Sequence, residues 1–526
     1  MNQHDNTDVM KGALLLTLAG LAGKVLSAGY RIPLQNLTGD VGFYIYQQIY
    51  PLLGIVTVLS LYGFPSAVSR MTAELQAQGK DISFRQFFVP VFVLLFSMMA
   101  GIFLLLFFQA GKIAGIVGDA HLTRVYKFAS FPFLLIPFAA LLRGVLQGKG
   151  EMTPTACSQV GEQFLRVLLI VGAAIWVSSN AVSHYTIGQA AVIGSIAGML
   201  AAIIILAFFF GRDRLPAKRA TRIPWRYYAG VLLTVGLAAA MNHSVLILMQ
   251  LADTLTLVPG LVSSGWTKLE AMTAKGIFDR GQPLIQLGTV LGSSFALTLL
   301  PAVSGNKTAE RAKLPYLQAQ RALAVSFYLA AGAAIGLMII FPEVNRLLFQ
   351  NEDGTGSLRV LVFAILLSSI GITAASILQG LGYVKRTALF IAAAFIIKIL
   401  GNVMFVPYIG ITGSAAATVV SLALLAAMVL LALKQKLPDL AFKKQVNWPA
   451  FMLAVTGMAV FLAGMDWLIE PVVSRAGLLL YVLFISFAGG AIYIIILLRL
   501  GAFRETELSM LPLSRLWIQL HKARDS

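Results

Sequence analysis

Apolar runs of about 20 residues, each long enough to cross roughly 30 Å of hydrocarbon, recur along the whole chain with short polar breaks between them. They predict fourteen membrane-spanning helices, near 10–32, 42–71, 86–108, 125–147, 154–178, 186–210, 227–251, 274–302, 318–341, 357–381, 387–406, 410–433, 449–468 and 476–499. The fold class is therefore an all-α polytopic membrane protein. The stretch 252–285 carries charge, Pro and Gly and reads as a long loop before the eighth span. Pro51, Gly54, Gly63 and Pro65 interrupt span two, and Pro132 and Pro137 interrupt span four, which predicts bent helices able to hinge.

The pattern repeats. Leu146-Gln147-Gly148-Lys149-Gly150 returns as Leu378-Gln379-Gly380-Leu381-Gly382, and at the same offset of 232 residues Arg166 in span five falls on Lys398 in span eleven. Ala67-Val68-Ser69 returns as Ala302-Val303-Ser304, an offset of 235. A repeat of six spans keeps its orientation in the second copy, so the sequence predicts two pseudo-symmetric six-helix lobes around a central cavity. The expected division is an N-terminal lobe at 1–211, a basic linker at 212–226, a second lobe at 227–436, and two extra helices with a basic tail at 437–526.

Composition narrows the class further. Of 526 residues 58% are hydrophobic and 12% charged, about half the charged share of ordinary soluble domains, and the mean hydropathy is +0.83. A soluble globule is excluded. The net charge of +18 would raise nucleic-acid binding in a soluble protein, but in a membrane protein Lys and Arg collect in cytoplasmic loops and set orientation. Here 27 basic residues fall on the side of the N-terminus, 10 on the other, and Lys24, Arg166 and Lys398 inside spans. Both termini are therefore expected in the cytoplasm. The single cysteine, Cys157, excludes an internal disulfide and any cysteine metal cluster. The N-terminal segment lacks a basic leader and a cleavage site, and is expected to be retained.

Enzymatic motifs are missing: there is no Walker A pattern, no G-x-S-x-G and no H-E-x-x-H, so neither ATP use nor catalysis is expected, and no cofactor or metal. Of five scattered histidines only His243 falls at depth. The informative residues are charges in or beside spans: Lys24, Arg31, Glu162, Arg166, Asp253, Arg280 and Lys398. Each costs about 2.5–3.5 kcal/mol in hydrocarbon and by default faces a cavity or a partner. Five are cations, which suits an anion such as phosphate. Each has a plainer reading too: Arg166 neutralising Glu162 one turn away, Lys398 bonding Asn402 or backbone, Arg31 and Arg280 snorkelling to the outer interface, and Asp253 pairing with a nearby base.

With the repeat and these charges in view, the chain resembles the multidrug/oligosaccharidyl-lipid/polysaccharide exporter superfamily, and within it the bacterial lipid II flippases and the stage V sporulation protein B group. The resemblance spans nearly the whole chain. It is carried by Gly23-Lys24-Val25-Leu26 through Tyr30-Arg31 and by Phe278-Asp279-Arg280 followed by Leu299-Leu300-Pro301-Ala302-Val303-Ser304. It implies a flippase for a polyprenyl-pyrophosphate-linked saccharide, with Lys24, Arg31 and Arg280 on the diphosphate, the last two helices on the lipid tail, and drive from membrane potential, H⁺ or Na⁺. Lys24 stands where the lipid II flippases usually carry Arg, and their basic pair in the second helix has no counterpart near Pro51–Gly54. A cation-coupled drug antiporter and a non-transporting scaffold for wall synthesis remain alternatives.

Overall fold

A computed structural model describes residues 3–79, 82–180, 182–211, 223–297, 314–438, 440, 445–468 and 474–503, which are helical almost throughout. Lipid offers no partner for backbone N–H and C=O groups, so an apolar chain must satisfy them within helices. The first helices are α1 (Gln3–Gly29), α2 (Arg31–Val58), α3 (Phe64–Ala77), α4 (Val89–Val117), α5 (Leu122–Ala129), α6 (Ile136–Gly148), α7 (Thr153–Ser179) and α8 (Tyr185–Phe210). Then follow α9 (Trp225–Val231), α10 (Leu237–His243), α11 (Val245–Ser263), α12 (Lys268–Asp279), α13 (Gly281–Leu297), α14 (Leu314–Ile339) and α15 (Phe341–Phe349). The last are α16 (Thr355–Gly380), α17 (Val384–Lys436), α18 (Trp448–Leu468) and α19 (Arg475–Arg499).

Among the described residues, eleven stretches are long and apolar enough to cross a membrane. Two are double: 18–77 breaks at Gly39, and α17 breaks at Ile409–Gly410. Counting these as pairs, and adding α13, gives the fourteen passages the hydropathy pattern predicts. The expected long loop at 252–285 is not one. α11 runs to Ser263, and α12 starts at Lys268 on a reciprocal cap, with Thr267 N–H donating to Glu270 Oε2 (2.9 Å) and Glu270 N–H to Thr267 Oγ1 (3.3 Å). Those bonds hold the exposed Glu270 carboxyl below the usual carboxylate range. The charges of this stretch up to Asp279 are carried on α11 and α12 instead of in a solvated loop.

Of the residues expected to bend these spans, Gly63 lies in a π-helical turn and the prolines do not. Pro65, Pro132 and Pro137 occupy first turns, where a missing N–H costs nothing. Pro51 is absorbed within α2, and the break lies eight residues on, at a π-helical turn over Leu59–Gly63. A second π turn, Leu232–Gly236, joins α9 to α10. The two turns pack together: a Cβ on Gly63 would stand 2.9 Å from Ala240 Cβ and 3.0 Å from Gly236 O. Gly54 instead seats Ile247, 3.1 Å from where its Cβ would be.

By its contacts the chain divides into two compact units, residues 1–279 and 280–526. This division differs in kind from the repeat boundary at 212–226, of which residues 212–222 lie outside the described residues. In the first unit α9 to α12 pack on α2, α3 and α4, around a core that includes Val56, Phe64, Val68, Phe87, Tyr228 and Leu232. α6 lies close on α3, since a Cβ on Gly144 would stand 2.4 Å from Val68 Cβ and one on Gly148 2.8 Å from Ser69 O. Spaced small residues allow such an approach, so the first copies of the two repeated motifs touch each other. In the second unit α18 and α19 close on α14 through Tyr328, Phe451, Met458 and Tyr493, whose hydroxyl donates to Tyr328 O (2.8 Å).

The repeat is visible in bond detail. Gln147 Nε2 donates to Thr155 Oγ1 (3.3 Å), and Gln379 Nε2 to Thr387 Oγ1 (3.1 Å). Glu151 N–H reaches Leu146 O (2.9 Å), and Tyr383 N–H reaches Leu378 O (3.0 Å), around glycines at φ +87° (Gly150) and +91° (Gly382). Only glycine takes that region without strain, so the repeated motif is a helix stop made the same way in each unit.

Candidate functional site

Lys24 lies on the face of α1 that carries Gly20 and Gly23. Those glycines let α1 approach α7: a Cβ on Gly23 would stand 3.5 Å from both Gln159 Nε2 and Gln163 Cγ, and one on Gly20 3.8 Å from the Tyr62 hydroxyl. Opposite, Tyr62 and His243 stack with ring centroids 4.1 Å apart and planes 13° from parallel. Lys24 and Tyr62 are half-buried and His243 is exposed, on helices that pack together, α1 on α7 and the Leu59–Gly63 turn on α10, so the three line an open crevice of the first unit. The Tyr62 hydroxyl hydrogen-bonds Gln159, and Lys24 interacts electrostatically with His243. No carboxylate pairs with Lys24 among the described residues.

Glu162 and Arg166 do pair, with Arg166 Nη2 donating to Glu162 Oε1 (2.6 Å). Sequence reasoning missed the third member: Arg143 Nη2 donates to Glu162 Oε2 (2.9 Å), its Nε to Ser158 Oγ (3.1 Å) and its Nη1 to Ser60 O (3.1 Å). Arg166 Nη1 reaches Thr57 Oγ1 (3.2 Å). One carboxylate between two guanidiniums leaves a net positive charge beside the crevice. Arg143 is fully buried.

Arg31 and Arg280 do not snorkel; both are at 0% exposure. Arg31 sits 3.9 Å from the centroid of the Tyr50 ring and donates to Ser27 Oγ (3.2 Å). It belongs to a buried group in which Lys275 and Asp279 pair at 2.6 Å and Asp279 interacts with Asp253 and Arg31. Two cations and two carboxylates neutralise each other there, as burial demands. Asp253 is thus not beyond span seven but inside α11. Arg280, in the turn between α12 and α13, donates to Asn351 Oδ1 (2.5 Å) and lies over the Phe349 ring at 5.2 Å. Lys398 takes the plainer of its two readings: its ammonium donates to Asn402 Oδ1 (2.9 Å), Ser414 O (2.8 Å) and Ser414 Oγ (2.9 Å), pinning the two halves of α17 together. Of the five expected ligands Lys24, Arg31 and Arg166 lie in the first unit, and Arg280 and Lys398 in the second. Gln159, Gln163, Tyr62 and His243 lie around the Gly20–Lys24 face of α1.

In the second unit an apolar cavity of about 430 Å³ runs beside α14, α18 and α19, lined by Leu329, Gly332, Met458, Leu462, Gly489 and Tyr493 among others.

Comparison with known proteins agrees with this architecture. A profile described as polysaccharide biosynthesis protein matches residues 9–307. The Bacillus subtilis (strain 168) uncharacterized membrane protein YabM is 38% identical over 510 residues, 96% of this chain and 95% of its own. The lipid II flippase MurJ of the same organism is 23% identical, over 96% of this chain and 98% of its own. The solved structure titled lipid II flippase MurJ, inward closed conformation, superposes with a TM-score of 0.66 at 13% identity, over 92% of this chain and 99% of that one.

Proposed function

This chain belongs to the polysaccharide biosynthesis protein family of membrane transporters, and on that premise we propose that it is a flippase for a polyprenyl-pyrophosphate-linked saccharide, moved by alternating access from the inner to the outer leaflet of the bacterial cytoplasmic membrane. Lys24 carries the reading. It is a cation with no carboxylate partner among the described residues, and its face of α1 packs on α7, the helix that carries the Glu162–Arg166 pair. A diphosphate supplies the missing negative charge. The apolar cavity along α18 and α19 offers surface of the kind a polyprenyl chain seeks. Arg31 and Lys398, each held by partners of its own, serve the helix framework in this reading.

Charge also supplies a driving force, because each negative charge moved outward is favoured by about 2.3 kcal/mol per 100 mV, inside negative. The drug-antiporter alternative needs an interior carboxylate free to exchange cations. Glu162 and Asp279 are ion-paired, and Asp253 belongs to the buried group of Asp279.

The test is rescue of bacteria depleted of their own lipid II flippase. Wild type and Lys24→Arg restore growth and Lys24→Ala does not, with all three present in the membrane at equal amounts. Rescue by Lys24→Ala removes the phosphate role and favours a scaffold; drug resistance without rescue favours the antiporter.

A further inference from the structure

Two buried carboxamides beside the Lys24-bearing face of α1 have their acceptors unused. Gln159 and Gln163 are 4% and 9% exposed, and the Oε1 atom of each has no hydrogen-bond partner among the described residues. Both lie on α7 beside the Gly20–Gly23 face of α1, one turn apart, and the next turn brings Arg166, whose Nε–H likewise has no acceptor among the described residues. α7 thus presents acceptor, acceptor and donor along one strip. A buried carbonyl oxygen left without a donor is costly, so the strip calls for a ligand that donates as well as accepts.

An ionised diphosphate has only acceptors and leaves both Oε1 atoms unsatisfied; it suits Lys24. Sugar hydroxyls and N-acyl amides do both. We infer that Gln159 and Gln163 form a saccharide subsite, with Arg166 Nε–H as its third contact, so that the head group lies with its diphosphate toward Lys24 on α1 and its first sugars along α7. The Tyr62–His243 stack adjoins this strip, with the Tyr62 hydroxyl bonded to Gln159, and offers ring surface to the apolar face of a sugar. The inference rests on the flippase reading and adds to it which residues select for a glycosylated lipid.

The experiment compares two ligands on the full-length protein in detergent: polyprenyl diphosphate, and the same lipid carrying a disaccharide. Wild type prefers the glycosylated form about tenfold, equivalent to about 1.4 kcal/mol. The near-isosteric double variant Gln159→Met/Gln163→Met loses that preference and binds bare polyprenyl diphosphate as wild type does, which also shows that it is folded. Lys24→Met weakens both ligands alike. A preference that survives in the double variant, or a double variant that weakens both ligands equally, overturns the subsite. Equal binding of both ligands by wild type overturns it too and leaves the flippase reading standing; binding of neither ligand brings down the flippase reading itself.

Discussion

Interior cations of this chain differ in what satisfies them, and that difference sorts binding residues from framework residues. Glu162 answers two arginines at 2.9 and 2.6 Å; removing one partner of a buried pair costs about 3–5 kcal/mol because the other charge is left bare. Glu162→Gln is therefore expected to lower thermal stability in detergent sharply. Lys398→Met leaves Asn402 Oδ1 and the Ser414 oxygens short of a donor, so it is expected to cost about 1–3 kcal/mol while leaving lipid binding unchanged. Lys24→Met should do the opposite, keeping the melting temperature and losing the ligand. A melting curve and a binding isotherm on each variant separate the classes, and a stable Glu162→Gln would break the assignment. Sequence alone flagged these charges because the cost of burial depends on residue type. Which cation is compensated depends on partners far along the chain: Arg143 meets Glu162 from 19 residues away, and Arg166 reaches Thr57 from 109. Gln159 and Gln163 escaped notice because neutral amides barely disturb a hydropathy profile.

The elements show a similar split between what periodicity reveals and what it hides. Span number and the 232-residue repeat were legible, since bilayer thickness sets run length and a helix stop with a left-handed glycine needs a particular residue in each copy. Gly150→Ala and Gly382→Ala are each expected to cost about 1–2 kcal/mol from the left-handed backbone alone, with equal effects if the two stops are equivalent. Thermal unfolding of the two variants checks this, and a neutral effect at either position would show that the stop relaxes. The π turns at Leu59–Gly63 and Leu232–Gly236 left no comparable mark. Proline drew attention to span two, yet the irregularity lies where one extra residue is accommodated against a neighbouring glycine, a tertiary event. The loop expected at 252–285 failed for a related reason: its charges are satisfied by Lys275, Asp279, Asp253 and the Thr267–Glu270 cap rather than by water.

For the whole molecule the open quantity is direction, because fourteen passages put both termini on one side without saying which side that is. The 27 to 10 bias of basic residues favours the cytoplasm for the termini, since translocating a cationic loop is opposed by the inside-negative potential. A Cys157→Ser background removes the only native thiol, after which a single cysteine at Gly79, between α3 and α4, and another at Glu352, between α15 and α16, report on opposite sides. A membrane-impermeant maleimide added to intact cells is expected to label position 352 at once and position 79 only after permeabilisation. Both sites are exposed, so failure to label reflects sidedness and not burial. The reverse pattern would place the basic loops outside and leave the charge bias without its physical cause. Orientation fixes the face from which the proposed substrate enters, so it also sets the sign of the energetics. With the termini inside, an anionic head group taken from the inner leaflet travels down the potential. Collapsing the potential in reconstituted vesicles should then slow outward movement while leaving equilibrium binding at Lys24 unchanged.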